Sequence, residues 1–100
     1  MNKIYISGPI TGCPKLNRMA FEFAAIDLCH HGYIAVNPHD VCKSMAPDAT
    51  WLEYMRQDIR ALVMCDAIFM LPGWWKSRGA RIEWLIAKLL GIKRIKKPLA

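Results

Sequence analysis

The sequence predicts an α/β protein, a small doubly wound parallel sheet of about four strands with helices on both faces. Three observations carry this reading. Short apolar runs alternate with longer segments of helical period; the runs and segments stop at glycine, proline or asparagine turns; and the order strand, helix, strand, helix, strand, helix, strand is the alternation that gives a parallel sheet covered on both sides.

Residues 3–7 form the first strand, apolar at Ile4, Tyr5 and Ile6 and stopped by Gly8-Pro9. From Asn17, read as an N-cap, apolar residues recur at Phe21, Ala24, Ala25, Leu28 and Cys29 on one face of a first helix, which Gly32 ends. Residues 33–36 give a second strand closed by Asn37-Pro38. Residues 37–49, with two prolines and many polar side chains, read as a loop. Thr50-x-x-Glu53 has the spacing of a capping box and opens a helix over about 51–64, periodic at Met55, Ile59 and Leu62. Residues 67–71 are a continuous apolar strand broken by Pro72-Gly73. Ser77 can cap a third helix carrying Ile82, Leu85, Ile86, Leu89 and Leu90, with Gly91 as its stop, and residues 92–95 complete the sheet. In such folds ligands bind beyond the carboxyl ends of the strands, which points to residues 7–17, 37–49 and 71–79.

A chain of 100 residues with 54% hydrophobic character is one domain (1–100) and not a disordered segment. A chain this short buries only about two-thirds of its unfolded surface, so a homodimer or larger assembly is expected. The net charge of +6 is concentrated at one end. Residues 88–100 hold Lys88, Lys93, Arg94, Lys96 and Lys97 and no acid, leaving nine bases against eight acids elsewhere. That distribution reads as a solvated basic C-terminal tail and argues against a nucleic-acid partner. No run approaches the ~18 apolar residues of a membrane span, and the first residues lack a secretion signal, so no membrane partner and a cytoplasmic location are expected. Cysteines 13, 29, 42 and 65 include no Cys-x-x-Cys pair and are expected as thiols. The spacings among Cys29, His31, His39 and Cys42 are not those of zinc fingers. Neither a metal nor a cofactor is expected.

Ser7-Gly8-Pro9-Ile10-Thr11-Gly12 follows the first strand, and Pro72-Gly73-Trp74-Trp75-Lys76-Ser77-Arg78-Gly79 follows the third and opens a helix. Both can bring backbone amides close to an anion. Trp74 and Trp75 cannot both be buried on one strand face; either one stacks on a base or packs on a partner, or both cover the edge of the third helix. Two carboxylates interrupt apolar stripes, Asp58 between Met55 and Leu62 and Glu83 between Ile82 and Leu85. Each is either a surface ion-pair member, with Arg56 or Arg60 for Asp58 and Lys76 or Arg78 for Glu83, or a functional group. Two carboxylates facing one site, one ionised and one with a raised pKa, are what cleavage of a glycosidic bond requires.

The stretch Ile4-Tyr5-Ile6-Ser7-Gly8-Pro9-Ile10-Thr11-Gly12, Asp58 eight residues before Asp66, and Ser77-x-Gly79-x-x-x-Glu83 together resemble the nucleoside 2-deoxyribosyltransferase-like superfamily. Within it they are most similar to the 2'-deoxynucleoside 5'-phosphate N-hydrolase branch. The resemblance spans about residues 3–95 and implies a flavodoxin-like fold, an oligomer, and cleavage or transfer at the N-glycosidic bond of a deoxynucleoside or its 5'-monophosphate. It implies Glu83 as the nucleophile, Tyr5 as the residue that orients it and Asp58 as the acid for the leaving base. It also implies Gly8, Pro9, Ile10 and Gly12 as the loop around sugar and phosphate, Ser77 at the phosphate, and Gly79 among the substrate-binding residues. Thr11 stands where the hydrolase branch has a phosphate-binding arginine, which Arg78 or Lys76 can replace. That departure, and a chain that ends soon after the last strand, keep open a non-catalytic nucleotide-binding module on the same fold.

Overall fold

The computed structural model describes residues 2–96. Its sheet has four parallel strands, β1 (Lys3–Ser7), β2 (Ile34–Val36), β3 (Ala67–Met70) and β4 (Lys93–Ile95), in the order β2-β1-β3-β4. β1 pairs with β2 through Lys3 to Ile34 and with β3 through Tyr5 to Ile68 and Ser7 to Met70, while β3 pairs with β4 through Ala67 to Lys93. The winding direction reverses between β1 and β3, so the switch point lies beyond Ser7 and Met70.

Helices α1 (Arg18–His30), α2 (Pro38–Val41), α3 (Trp51–Val63) and α4 (Arg78–Leu89) cover both faces. The period of two along β1 decides which residue meets which helix. Ile4 and Ile6 point to one side and share a core with Phe21, Ala24 and Leu28 of α1 and with Ala67, Phe69 and Leu71. Tyr5 points to the other and packs with Leu62 of α3, Ala80 and Ala87 of α4, and Ile68 and Met70. The predicted doubly wound α/β arrangement is therefore present, with two thin cores on either side of one sheet.

Local chemistry sets the helix starts. Thr50 Oγ1 accepts from the Glu53 amide at 3.2 Å and Glu53 Oε1 accepts from the Thr50 amide at 2.9 Å, the reciprocal capping box that the spacing predicts. Ser77 Oγ accepts from the Ala80 amide at 3.2 Å at the start of α4.

Four expectations are corrected. Asn17 does precede α1, but its backbone is left-handed (φ 59°) and its side chain does not cap the helix. The Asn17 amide instead donates to the Pro9 carbonyl at 2.9 Å, tying down the loop after β1. Residues 37–49 are not all loop, since α2 occupies four of them. Its 3.6-residue period is invisible in so short a segment. β4 begins at Lys93 and not at 92. The basic run is not one solvated tail, because Lys88 lies in α4 and Lys93 and Arg94 in β4. The Arg94 guanidinium lies 5.6 Å from the Trp74 ring centre and 5.7 Å from that of Trp84, and the Lys88 ammonium 5.4 Å from that of Trp84. These cations serve as covers for indole faces; residues 97–100 of the expected tail lie outside the described residues. Among the described residues no helix is long and apolar enough to cross a membrane.

Candidate active site

The site is built on the side of the sheet that Tyr5 faces, at the carboxyl end of β1. Tyr5 and Ser7 are two residues apart and share that face, and both are fully buried. On α4 the buried positions are Ala80, Glu83 and Ala87, spaced three and four apart, so Glu83 occupies a core position of its helix and is 4% exposed. The two elements meet at the carboxylate. Tyr5 Oη donates to Glu83 Oε2 at 2.8 Å and Ser7 Oγ donates to Glu83 Oε1 at 2.6 Å. Each carboxylate oxygen thus has one fixed neutral donor.

Asp58 is placed by the same logic on α3, where Met55, Asp58 and Leu62 are the buried residues. It is 7% exposed, and Cys42 Sγ, just past α2, donates to its Oδ1 at 3.2 Å. The surface ion pairs that would explain these carboxylates trivially are not what holds them. Their hydrogen-bond partners among the described residues are a phenol, a hydroxyl and a thiol.

Burial without a cation dominates the electrostatics. The Glu83 carboxyl is pushed up to about 7, first by loss of water and then by the nearby Asp58 charge, against the two hydrogen bonds, which favour its ionised form. Asp58 is pushed up to about 6, again chiefly by burial, with the Cys42 thiol pulling the other way. Tyr5 is raised well above its ordinary value by burial and by both carboxylates, so it remains a donor at any working pH. Burial and Asp58 push the Cys42 thiol up to about 12. The Asp58 charge acts on Tyr5, Cys42 and Glu83, and Glu83 acts on Tyr5 and Cys42, so the four lie in one cluster.

The flanking loops fall at the same end of the sheet. Gly8 is needed for packing: a Cβ there would stand 2.7 Å from Leu71 Cβ, where the chain leaving β1 runs past the chain leaving β3. Pro9 is held through its carbonyl by Asn17, Ile10 packs against the α1-side core, and Gly12 takes a φ of 83°, in the left-handed region that favours glycine. Ser77 caps α4, and the Arg78 guanidinium lies 4.3 Å above the Trp51 ring centre. A Cβ on Gly79 would come 3.1 Å from Met55 Sδ, so this glycine lets α4 approach α3. Trp74 packs edge-on to Trp75 and Trp84 at 6.1 and 6.4 Å and joins the α4-side core, while Trp75 is 55% exposed.

Glu83, Asp58 and Tyr5 are therefore brought together. Two members of the cluster go beyond the sequence reading. Ser7 could have been found from its parity with Tyr5 on β1; Cys42 gave no signal, because it follows a helix too short to be periodic.

This topology defines a small doubly wound α/β fold, and two solved structures share it. A 2-deoxyribosyltransferase from the psychrotolerant bacterium Bacillus psychrosaccharolyticus superposes with a TM-score of 0.74 at 17% identity, over 94% of this chain and 70% of that one. A CMP N-glycosidase of Clostridium botulinum superposes with a TM-score of 0.63 at 22% identity, over 94% of this chain and 66% of that one. A comparison with curated protein sequences finds no match. In sequence the chain belongs to the family described as Domain of unknown function (DUF4406), whose model matches residues 2–96.

Proposed function

We propose that the protein cleaves or transfers at the N-glycosidic bond of a nucleoside, deoxynucleoside or 5'-monophosphate. The observation that carries this is the buried carboxylate Glu83, gripped by Tyr5 and Ser7, with a second buried carboxylate, Asp58, acting on it electrostatically. A Glu83 oxygen attacks the anomeric carbon while Asp58 gives its proton to the departing base nitrogen, so the C–N bond breaks and a glycosyl ester forms on Glu83. Asp58, now a carboxylate, takes a proton from water or from the N–H of a second base. That acceptor attacks the same carbon and frees Glu83. Tyr5 and Ser7 fix the nucleophile's orientation. Ser77, Arg78 and Gly79 at the start of α4, with the loop carrying Gly8, Pro9, Ile10 and Gly12, bind sugar and 5'-phosphate. Exposed Leu52, Leu85 and Leu89, and an apolar groove of about 350 Å³ between Trp51, Met55, Ile59 and Ile82, support a homo-oligomer.

The test is chromatographic detection of free base after incubation with a panel of deoxynucleosides and their 5'-monophosphates. Glu83→Gln and Asp58→Asn are each expected to abolish release, and full release in both variants would overturn the assignment. Nucleotide binding without release, unchanged by Glu83→Gln, would instead favour a non-catalytic binding module.

A further inference from the structure

We propose that Cys42 is the positioning residue of the acid: its thiol, donated to Asp58 Oδ1, leaves Oδ2 as the oxygen that carries and delivers the proton. The inference rests on the reading of Asp58 as the acid, and it adds a residue that the sequence pattern does not assign.

The thiol is held in place by its surroundings. Asn37 Oδ1 accepts from the His39 amide at 3.0 Å and caps α2, Pro38 opens the turn with its fixed φ, and the Cys42 amide closes it on the Pro38 carbonyl at 3.0 Å. Asn37 and Pro38 are buried, and the His39 ring meets Phe21 of α1 edge-on with centres 4.9 Å apart. This single helical turn is pinned against α1 and delivers Sγ to within 3.2 Å of Asp58. Among the titratable groups around that carboxyl, Glu83 enters from α4 and Tyr5 from β1, while Asp40 and Lys43 near Cys42, and Arg56 and Arg60 on α3, are exposed.

A protonated carboxyl offers one acceptor oxygen and one hydroxyl. An S–H bound to Oδ1 therefore selects Oδ2 for the proton. A thiol is also a weaker donor than a hydroxyl, so it orients the group without strongly favouring its ionised form, which an acid must avoid before it acts. The thiol itself stays protonated, because burial and Asp58 push it up to about 12.

The experiment is a titration of the Asp58 carboxyl by carbon NMR of ¹³C-aspartate-labelled protein, with Asp58→Asn assigning the resonance. Cys42→Val removes the donor and keeps water from replacing it; Cys42→Ser supplies a stronger donor in nearly the same shape. The midpoint is expected to rise by about 0.5–1 pH unit in the valine variant and to fall in the serine variant, and the acidic limb of the rate profile, where Asp58 titrates, is expected to move with it. If the valine variant does not fold, the serine shift alone decides. Midpoints that stay within about 0.2 unit of the parent in the folded variants would overturn the proposal. The titration needs no turnover, so a shifted Asp58 in a protein that releases no base would refute the proposed reaction alone. Base release with an unresponsive Asp58 would refute this inference alone.

Discussion

Glu83 makes the protein less stable above neutral pH than it need be, and the size of that cost can be worked from its surroundings. In the unfolded chain its carboxyl ionises near 4.5, whereas in the fold it is raised to about 7. Between those two values the folded state keeps a proton that the unfolded state has lost. Folding stability therefore falls as pH rises from about 4.5 through about 7, and above that the full cost applies. At about 1.4 kcal/mol per pH unit, the cost at pH 8 is about 3 kcal/mol. Glu83→Gln removes the charge and keeps the shape. Tyr5 and Ser7 can both remain paired, because a hydroxyl can accept from the new amide as well as donate to its oxygen.

The variant should accordingly be more stable than the parent at pH 8 by about 2–3 kcal/mol and nearly equal to it at pH 5. For a domain of this size that corresponds to a rise in Tm of roughly 10–20 °C. Urea denaturation of both proteins at the two pH values, followed by circular dichroism, measures the difference. A variant no more stable than the parent at pH 8, or one with the same advantage at pH 5, would refute the claim that the carboxylate is held in a desolvated site at the expense of the fold.

Base release, which needs Glu83 ionised and Asp58 protonated, should follow a narrow bell in pH. Its apparent midpoints, near 6 and 7, belong to the pair jointly; because Glu83 holds a proton more tightly than Asp58, the reactive arrangement is the minor one of the two singly protonated forms, and a plateau from pH 5 to 9 would contradict that one proton is divided between them. Tyr5→Phe removes a donor to the ionised nucleophile and should lower kcat/KM about tenfold to hundredfold; because the Glu83 carboxyl then rises further, the loss should be greater at pH 6 than at pH 8. Gly8→Ala forces a methyl against Leu71 Cβ and should cost about 1–3 kcal/mol in urea denaturation. Thr50→Ala breaks the capping box of α3 and should cost about 1 kcal/mol, with base release unchanged once the protein is folded.

Much of the fold was legible because it depends on features that lie next to one another in the chain: apolar runs of strand length, Gly-Pro and Asn-Pro stops, a capping box. The two carboxylates were legible for a related reason, since Asp58 and Glu83 fall on the apolar stripes of their own helices, where a charge weakens the fold unless something else requires it. Beyond Tyr5, which the resemblance implied, what could not be read was the chemistry around them. Ser7 reaches Glu83 across 76 positions and Cys42 reaches Asp58 across 16, from a turn with no period. The left-handed run at Lys15, Leu16 and Asn17 contains no glycine to announce it. The deeper cause is the kind of partner. An arginine or lysine placed against Glu83 would show in the sequence as a complementary charge, and it would hold the carboxyl low and permanently ionised. A phenol, a hydroxyl and a thiol carry no charge to notice. They satisfy the hydrogen bonds of buried carboxylates while leaving their ionisation close to neutrality, which is the condition the proposed exchange of a proton between base and acid requires. The property that makes the site hard to read from sequence is thus the one that suits it to proton transfer.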